Sequence, residues 1–169
     1  MHLILGTANW NRPGYGKELS KDECFKLMDR AKELGIKTLA TAFDYGKDVA
    51  DEYGWEDRVH KYEPGKIEWN GLDGLTLEKP IYWTTDMEFS KHFLMAPFNP
   101  LNTSFLPWVY KANFIARSIF CGGRFQRSNL EDVAILVFSF LKSHDVKNAV
   151  FGVESIEELE LNVRVANEK

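Results

Sequence analysis

Two cysteines, Cys24 and Cys121, are all that this 169-residue chain contains, and they stand in unlike contexts with no metal-like spacing. That excludes a disulfide framework and a structural zinc site and reads as two reduced thiols. No apolar run approaches the ~18 residues needed to span a bilayer. The start, "MHLILGTANW", has no basic region followed by an apolar segment of signal-peptide length. Basic residues are not clustered: 21 Lys and Arg are scattered against 25 Asp and Glu, for a net charge of −4, which argues against a nucleic-acid-binding surface. No repeat, low-complexity segment or linker divides the chain. What is present is the composition of a globular protein, with 44% hydrophobic and 27% charged residues. A single domain over 1–169 is expected, soluble and cytoplasmic, with neither nucleic acid nor membrane as partner. The aromatic share, 14% with five Trp, is high.

Apolar periodicity and punctuation give the element order. "HLILG" (2–6) ends in glycine and reads as a buried strand. Ser20 and Glu23 form a capping box for a helix whose apolar face is Phe25, Leu27, Met28, Ala31 and Leu34, stopped by Gly35. "IKTLATA" (36–42) is the next strand, and the connection is long enough for a parallel crossover. From Lys47 to Pro80 the pattern is poor: "VADEYGWEDRVHKY" is weakly helical and the remainder is rich in turn signals. "IYWTT" (81–85) and "HFLMAP" (92–97) read as strands, either paired antiparallel or one of them misassigned. A loop and short helix follow in "FNPLNTSFLPWVYK". "ANFIARSIF" (112–120) is a strand, Ser128 with Glu131 caps an apolar helix, "NAVFG" (148–152) is the last strand, and Ser155 with Glu158 caps the last helix. The whole reads as α/β with a mostly parallel sheet.

In such sheets ligands bind at the carboxyl ends of the strands. That brings "TANW", "FDYG", "TTD", "FNPLN", "CGGRF" and "GVES" to one rim. Trp10, Trp83 and Trp108 lie in or near these segments and either stack a ligand or fill the core, the second being the commoner use of buried indoles. Cys121, between a strand and two glycines, has no histidine in an interpretable relation to it and reads as a half-buried thiol. His144 closes its helix, where an imidazolium favours the dipole. Glu68, Asp73 and Glu78 fall in a turn-rich stretch and read as solvated.

Four blocks, "LGTANW", "GIKTLATAFDYG", "PFNPLNTSF…ARSIFCGGRF" and "NAVFGVESIEELELNV", resemble in order the corresponding blocks of the aldo-keto reductases. The resemblance covers roughly the first 46 and the last 75 residues. It implies a (β/α)₈ barrel, which typically takes about 250 residues. At this length the expectation is a reduced TIM-barrel-like fold with about six mostly parallel strands. It would close with fewer strands, stay open, or complete its sheet in a homodimer, because bare strand edges invite pairing.

The resemblance also implies a catalytic set of Tyr, Lys, Asp and His acting with NADPH. A phenol is a poor acid at neutral pH unless an ammonium, itself held by a carboxylate, lowers its pKa. Tyr45 matches the Tyr. Ala40 stands at the Asp position, Asp86 at the Lys position if "YWTTD" is the third strand, and neither His60 nor His92 matches the His. Of the cofactor contacts, Asn99 is kept, Met95 replaces a glutamine that would meet the nicotinamide carboxamide, and Leu161 replaces the acid before Asn162. Arg117, Ser118, Gly152 and Ser155 line the implied pyrophosphate site, with Arg124 and Arg127 as further charge and Glu154, Glu157 and Glu158 against it. No metal site is implied.

The sequence therefore predicts an aldo-keto-reductase-like protein that has lost hydride transfer and holds no cofactor, serving as a small-molecule or protein binding module with its ligand at the carboxyl ends of the strands. The alternative is a divergent NADPH-dependent oxidoreductase for a sugar or small aldehyde or ketone, with Tyr45 as proton donor and Lys66 or Lys91 as substitute ammonium.

Overall fold

The structure is a computed structural model, and it describes residues 1–8, 10, 18–41, 47–56, 58–60, 93–110, 113–123 and 129–168. Strand β1 (His2–Gly6) leads through helix α1 (Lys21–Glu33) to β2 (Thr38–Thr41), and α2 (Lys47–Tyr53) leads to β3 (Arg58–His60). After β4 (Phe93–Pro97) come α3 (Leu106–Val109), β5 (Asn113–Arg117), α4 (Leu130–Ser143), β6 (Asn148–Gly152) and α5 (Ile156–Asn167). The six strands form one sheet in the order β3-β2-β1-β6-β5-β4, and every described pairing is parallel. First and last strands are neighbours at its centre, as in a TIM barrel.

The two faces of the sheet are set by strand alternation. Leu3, Leu5, Leu39, Phe114, Ala116, Ala149 and Phe151 point to the helix side and merge with Leu27 and Met28 of α1, Val137 and Phe138 of α4 and Leu159 and Val163 of α5 into the main core. The other face holds a small second cluster of Ile4, Ala40, Met95 and Ile115, with Val150 packed against it. Both faces are apolar, which is why these strands lack the polar alternation of a one-sided sheet.

Local signals act at the helix ends. Ser20 Oγ accepts the Glu23 N–H (3.3 Å) and a Glu23 carboxylate oxygen accepts the Ser20 N–H (2.8 Å), so the expected capping box is present. At α4 the cap is Asn129, whose side chain accepts the Glu131 N–H at 2.9 Å, in place of the expected Ser128. An Asn side chain supplies its acceptor as well as a Ser hydroxyl does. Helices α1 and α4 stop alike. After α1, Gly35 (φ 83°) turns left-handed and the Ile36 N–H reaches the Ala31 carbonyl at 2.9 Å. After α4, Asp145 (φ 56°) does the same and the Val146 N–H reaches Leu141 at 3.0 Å.

Two expectations change, and a third falls outside the described residues. The weakly helical stretch after Lys47 does carry helix α2, and it carries strand β3, which the sequence does not predict; three residues are too few to show periodicity, and pairing of Leu39–Thr41 with Arg58–His60 defines the strand. The strand expected over 112–120 ends at Arg117, because Ser118 (φ 49°) turns the chain out of the sheet. The strand expected over 81–85 lies outside the described residues. Among the described residues no helix is long and apolar enough to cross a membrane, and both cysteines are free thiols.

The matched helix ends yield a paired prediction. Gly35→Ala should destabilise by about 1 kcal/mol, because a Cβ is strained at positive φ. Asp145→Gly should stabilise by roughly 0.5 kcal/mol for the same reason, the exposed Asp145–Lys147 ion pair contributing little. Urea unfolding of both variants measures the two shifts, which should have opposite signs.

Candidate functional site

The carboxyl ends of β1, β2, β4, β5 and β6 form one rim, and its order starts at β1. Gly6 lies opposite Ala40 on one side and Gly152 on the other. A Cβ on Gly6 would come within 3.0 Å of Val150 Cγ1, so a larger residue here would press on that side chain. The Thr7 N–H donates to the Ala40 carbonyl at 3.0 Å, and Thr7 Oγ1 lies 3.1 Å from Thr41 Oγ1, both side chains being buried. Trp10 is fully buried and its Nε1–H donates to the Val153 carbonyl at 3.1 Å. Trp10 thus ties the loop after β1 to the loop after β6 and packs in the core, where it is no platform for a ligand. Trp108 also packs against the main core, and Trp83 lies outside the described residues.

The loop after β4 is braced by Asn99. Its Nδ2 donates to the Ser118 carbonyl at 2.9 Å and its Oδ1 accepts the Leu101 N–H at 3.0 Å. A retained Asn at this place has a structural role, joining the ends of β4 and β5. Arg117, at the end of β5, donates from a terminal guanidinium nitrogen to Ser118 Oγ at 3.1 Å, and Ser118 is exposed. Cys121 is half-buried with positive φ (59°), its sulfur 3.9 Å from the Ile119 carbonyl.

The start of α5 is the most polar part of the rim. Ser155 caps the helix, its Oγ accepting the Glu158 N–H at 3.2 Å. A Glu158 carboxylate oxygen reaches back to accept the Glu154 N–H at 2.9 Å. Burial pushes the half-buried Glu158 carboxyl above its ordinary pKa, against the opposing hydrogen bond from the Glu154 N–H and with a smaller contribution from the Glu154 charge. Glu157 is held below the usual carboxylate range by hydrogen bonds from backbone N–H and from Ser155. Two turns into the helix Asn162 is only 2% exposed, and among the described residues its buried Nδ2 has no hydrogen-bond partner.

The residues implied for catalysis divide sharply. Ala40 faces the second cluster and touches an apolar surround, with Ile4, Met95 and Ile115 as the other members. Met95, at the place of the implied nicotinamide contact, is 2% exposed in that same cluster. Tyr45, Asp86, Lys66, Lys91, Arg124 and Arg127 lie outside the described residues. Among the described residues no group of His, Cys, Asp and Glu is placed to hold a metal ion. The sequence reading missed Thr7 and Thr41. Their signal was a hydroxyl directly after the apolar run of each of the first two strands, where a buried polar group needs a partner.

No protein-family model matches the chain, and a search of curated proteins finds no match. Solved structures do match in fold. One is PA4992 of Pseudomonas aeruginosa, described as an aldo-keto reductase, with TM-score 0.60 and 16% identity over 98% of this chain and 89% of that one. A second is the aldo-keto reductase AKR11C1 of Bacillus halodurans in its holo form, with TM-score 0.59 and 13% identity over 99% and 87%. A third structure, again described as an aldo-keto reductase of Pseudomonas aeruginosa, has TM-score 0.58 and 15% identity over 98% and 88%. The chain is an α/β protein of TIM-barrel-like architecture. Its fold is that of the aldo-keto reductases.

Asn162 gives a test that needs no ligand. An unsatisfied buried donor destabilises by about 1 kcal/mol or more. Asn162→Leu should therefore raise the stability of the free protein by roughly that amount. Thermal unfolding of the two proteins compares them, and a loss of stability would mean that Nδ2 has a partner after all.

Proposed function

We propose that the chain is an aldo-keto-reductase-like protein that binds the adenine and phosphate end of a nucleotide at the start of α5 and does not transfer hydride. The observation that carries the loss of chemistry is the setting of Ala40. The family relay needs a carboxylate there to hold an ammonium, and that ammonium in turn makes the Tyr phenol acidic enough to protonate a carbonyl. Ala40 supplies no charge. Ile4, Met95 and Ile115 around it supply neither a substitute carboxylate nor a polar path.

The residues fit one end of a nicotinamide dinucleotide and not the other. The buried, unpartnered Asn162 Nδ2 is a donor suited to a ring nitrogen of a base, and the N-terminus of α5 favours a phosphate. The nicotinamide carboxamide needs a matched donor and acceptor, and the Met95 thioether has no donor and only a weak acceptor. No reaction step is therefore derived through the cofactor. If the cofactor binds, the described residues would hold its adenosine phosphate end.

Calorimetric titration with NADPH and NADP⁺, together with an aldehyde-dependent NADPH oxidation assay, tests both halves. Binding without turnover is expected, with oxidised and reduced forms bound alike because the ring they differ in is not gripped. Turnover that disappears in Tyr45→Phe would establish the oxidoreductase reading instead. No binding at millimolar nucleotide would remove the ligand assigned here.

Restoring the missing carboxylate gives a second prediction. Ala40→Asp should destabilise by about 3–5 kcal/mol at pH 7 without creating turnover, because it buries an unpaired charge. Burial raises the folded-state pKa of the new Asp above its unfolded value. The penalty should therefore grow as pH rises above the unfolded pKa and shrink towards pH 4, which urea melts at the two pH values measure.

A further inference from the structure

Helix α4 differs from the other long helices on its outer face. Among the described residues α1 and α5 expose no large apolar side chain, whereas α4 exposes Ile135 (44%) and Leu136 (49%) in mid-helix. These two belong to a stripe of exposed positions, Asp132, Ile135, Leu136, Ser139, Lys142 and Ser143, which recurs at helical spacing opposite the buried Ala134, Val137 and Leu141. The stripe starts with an acid, has an apolar patch beside a small residue at its middle, and ends in a base. Of the charges near it, Glu131 is paired with Arg164 of α5 at 2.7 Å. The Lys142 ammonium donates to the carbonyls of Val165 and Glu168, neutral acceptors that do not cancel its charge.

We propose that this stripe docks a second copy of the chain, the two α4 helices lying antiparallel across a twofold axis near positions 137 and 138. In that arrangement Leu136 of each copy packs over Ser139 of the other, a large side chain against a small one, and Asp132 of each faces the Lys142 turn of the other. The charge order selects this occupant. A patch with an acid at one end and a base at the other is complementary to itself after a twofold rotation. An anionic lipid surface would instead need basic residues around the patch, and Glu131 and Asp132 stand beside it. Two half-exposed apolar side chains from each copy cover little beside the ~1,200–2,000 Å² of a stable interface, so the dimer is weak and forms at high concentration.

The test is sedimentation velocity of the full chain from about 10 μM to about 1 mM. The wild type should pass from monomer towards dimer over that range, and less so as salt rises. Leu136→Glu should stay monomeric throughout, with circular dichroism checking that this exposed change leaves the fold intact. Asp132→Lys and Lys142→Asp should each weaken dimerisation roughly tenfold, since each sets like charges opposite one another on both sides of the axis. Mixed one to one, these two variants should recover wild-type association, because every pair across the axis is then opposite in sign. A wild type that is monomeric at about 1 mM, a dimer that survives Leu136→Glu, or a mixture that recovers nothing would overturn the proposal. In the first of these cases, flotation with phosphatidylserine vesicles that is lost in Leu136→Glu would assign the face to a membrane instead.

Discussion

Everything described in this protein depends on the pairing of β1 with β6. Five residue pairs, from His2 opposite Asn148 to Gly6 opposite Gly152, join the two ends of the chain at the centre of the sheet. Contacts this distant in sequence must repay a large loop-closure entropy. They do so because both strands are apolar on both faces, with Leu3, Leu5, Ala149 and Phe151 under the helices and Ile4 against Val150 on the other side. Trp10 extends the same junction beyond the strands through its bond to Val153. The rim is therefore built on a join between chain ends, and Gly6 permits its closest approach.

A consequence follows for the chemistry. A barrel enzyme must carry polar groups on the inner face just where its strands end, and in this chain that face is apolar up to Ala40, Met95 and Ile115. Polarity on this side lies at Thr38, bonded to His2, at Arg117 where β5 ends, and at Thr7 and Thr41, whose hydroxyls face each other. Among the described residues the buried Asn162 Nδ2, on the helix side, has no hydrogen-bond partner. The described part of the rim is equipped for holding a ligand edge and poorly equipped for moving protons to a carbonyl.

Much of this was legible in the residues. Ser20 with Glu23 and Ser155 with Glu158 mark two helix starts, since the capping signal is local and involves only four residues. Ala40 as a missing carboxylate was equally plain from its place in "KTLATAFDYG". Asn99 was read as a cofactor contact from its block. In the structure it also braces the loop through bonds to Ser118 and Leu101, a role that exists only once β4 and β5 are side by side. Strand β3 was illegible because three residues have no period of their own and take their conformation from β2.

Residue order by itself determined the α/β class, the starts of α1 and α5, the stop of α1 at Gly35 and the absence of a carboxylate at position 40. These depend on side-chain chemistry acting within a turn or two of the chain. The tertiary structure alone decided the strand order and the inner apolar cluster. It also settled Trp10 as a core anchor bonded to Val153, left the buried Asn162 Nδ2 without a partner among the described residues and set Glu158 on the Glu154 N–H. Burial and hydrogen-bond geometry arise from segments as distant as Trp10 and Val153, 143 residues apart, and no local pattern encodes them.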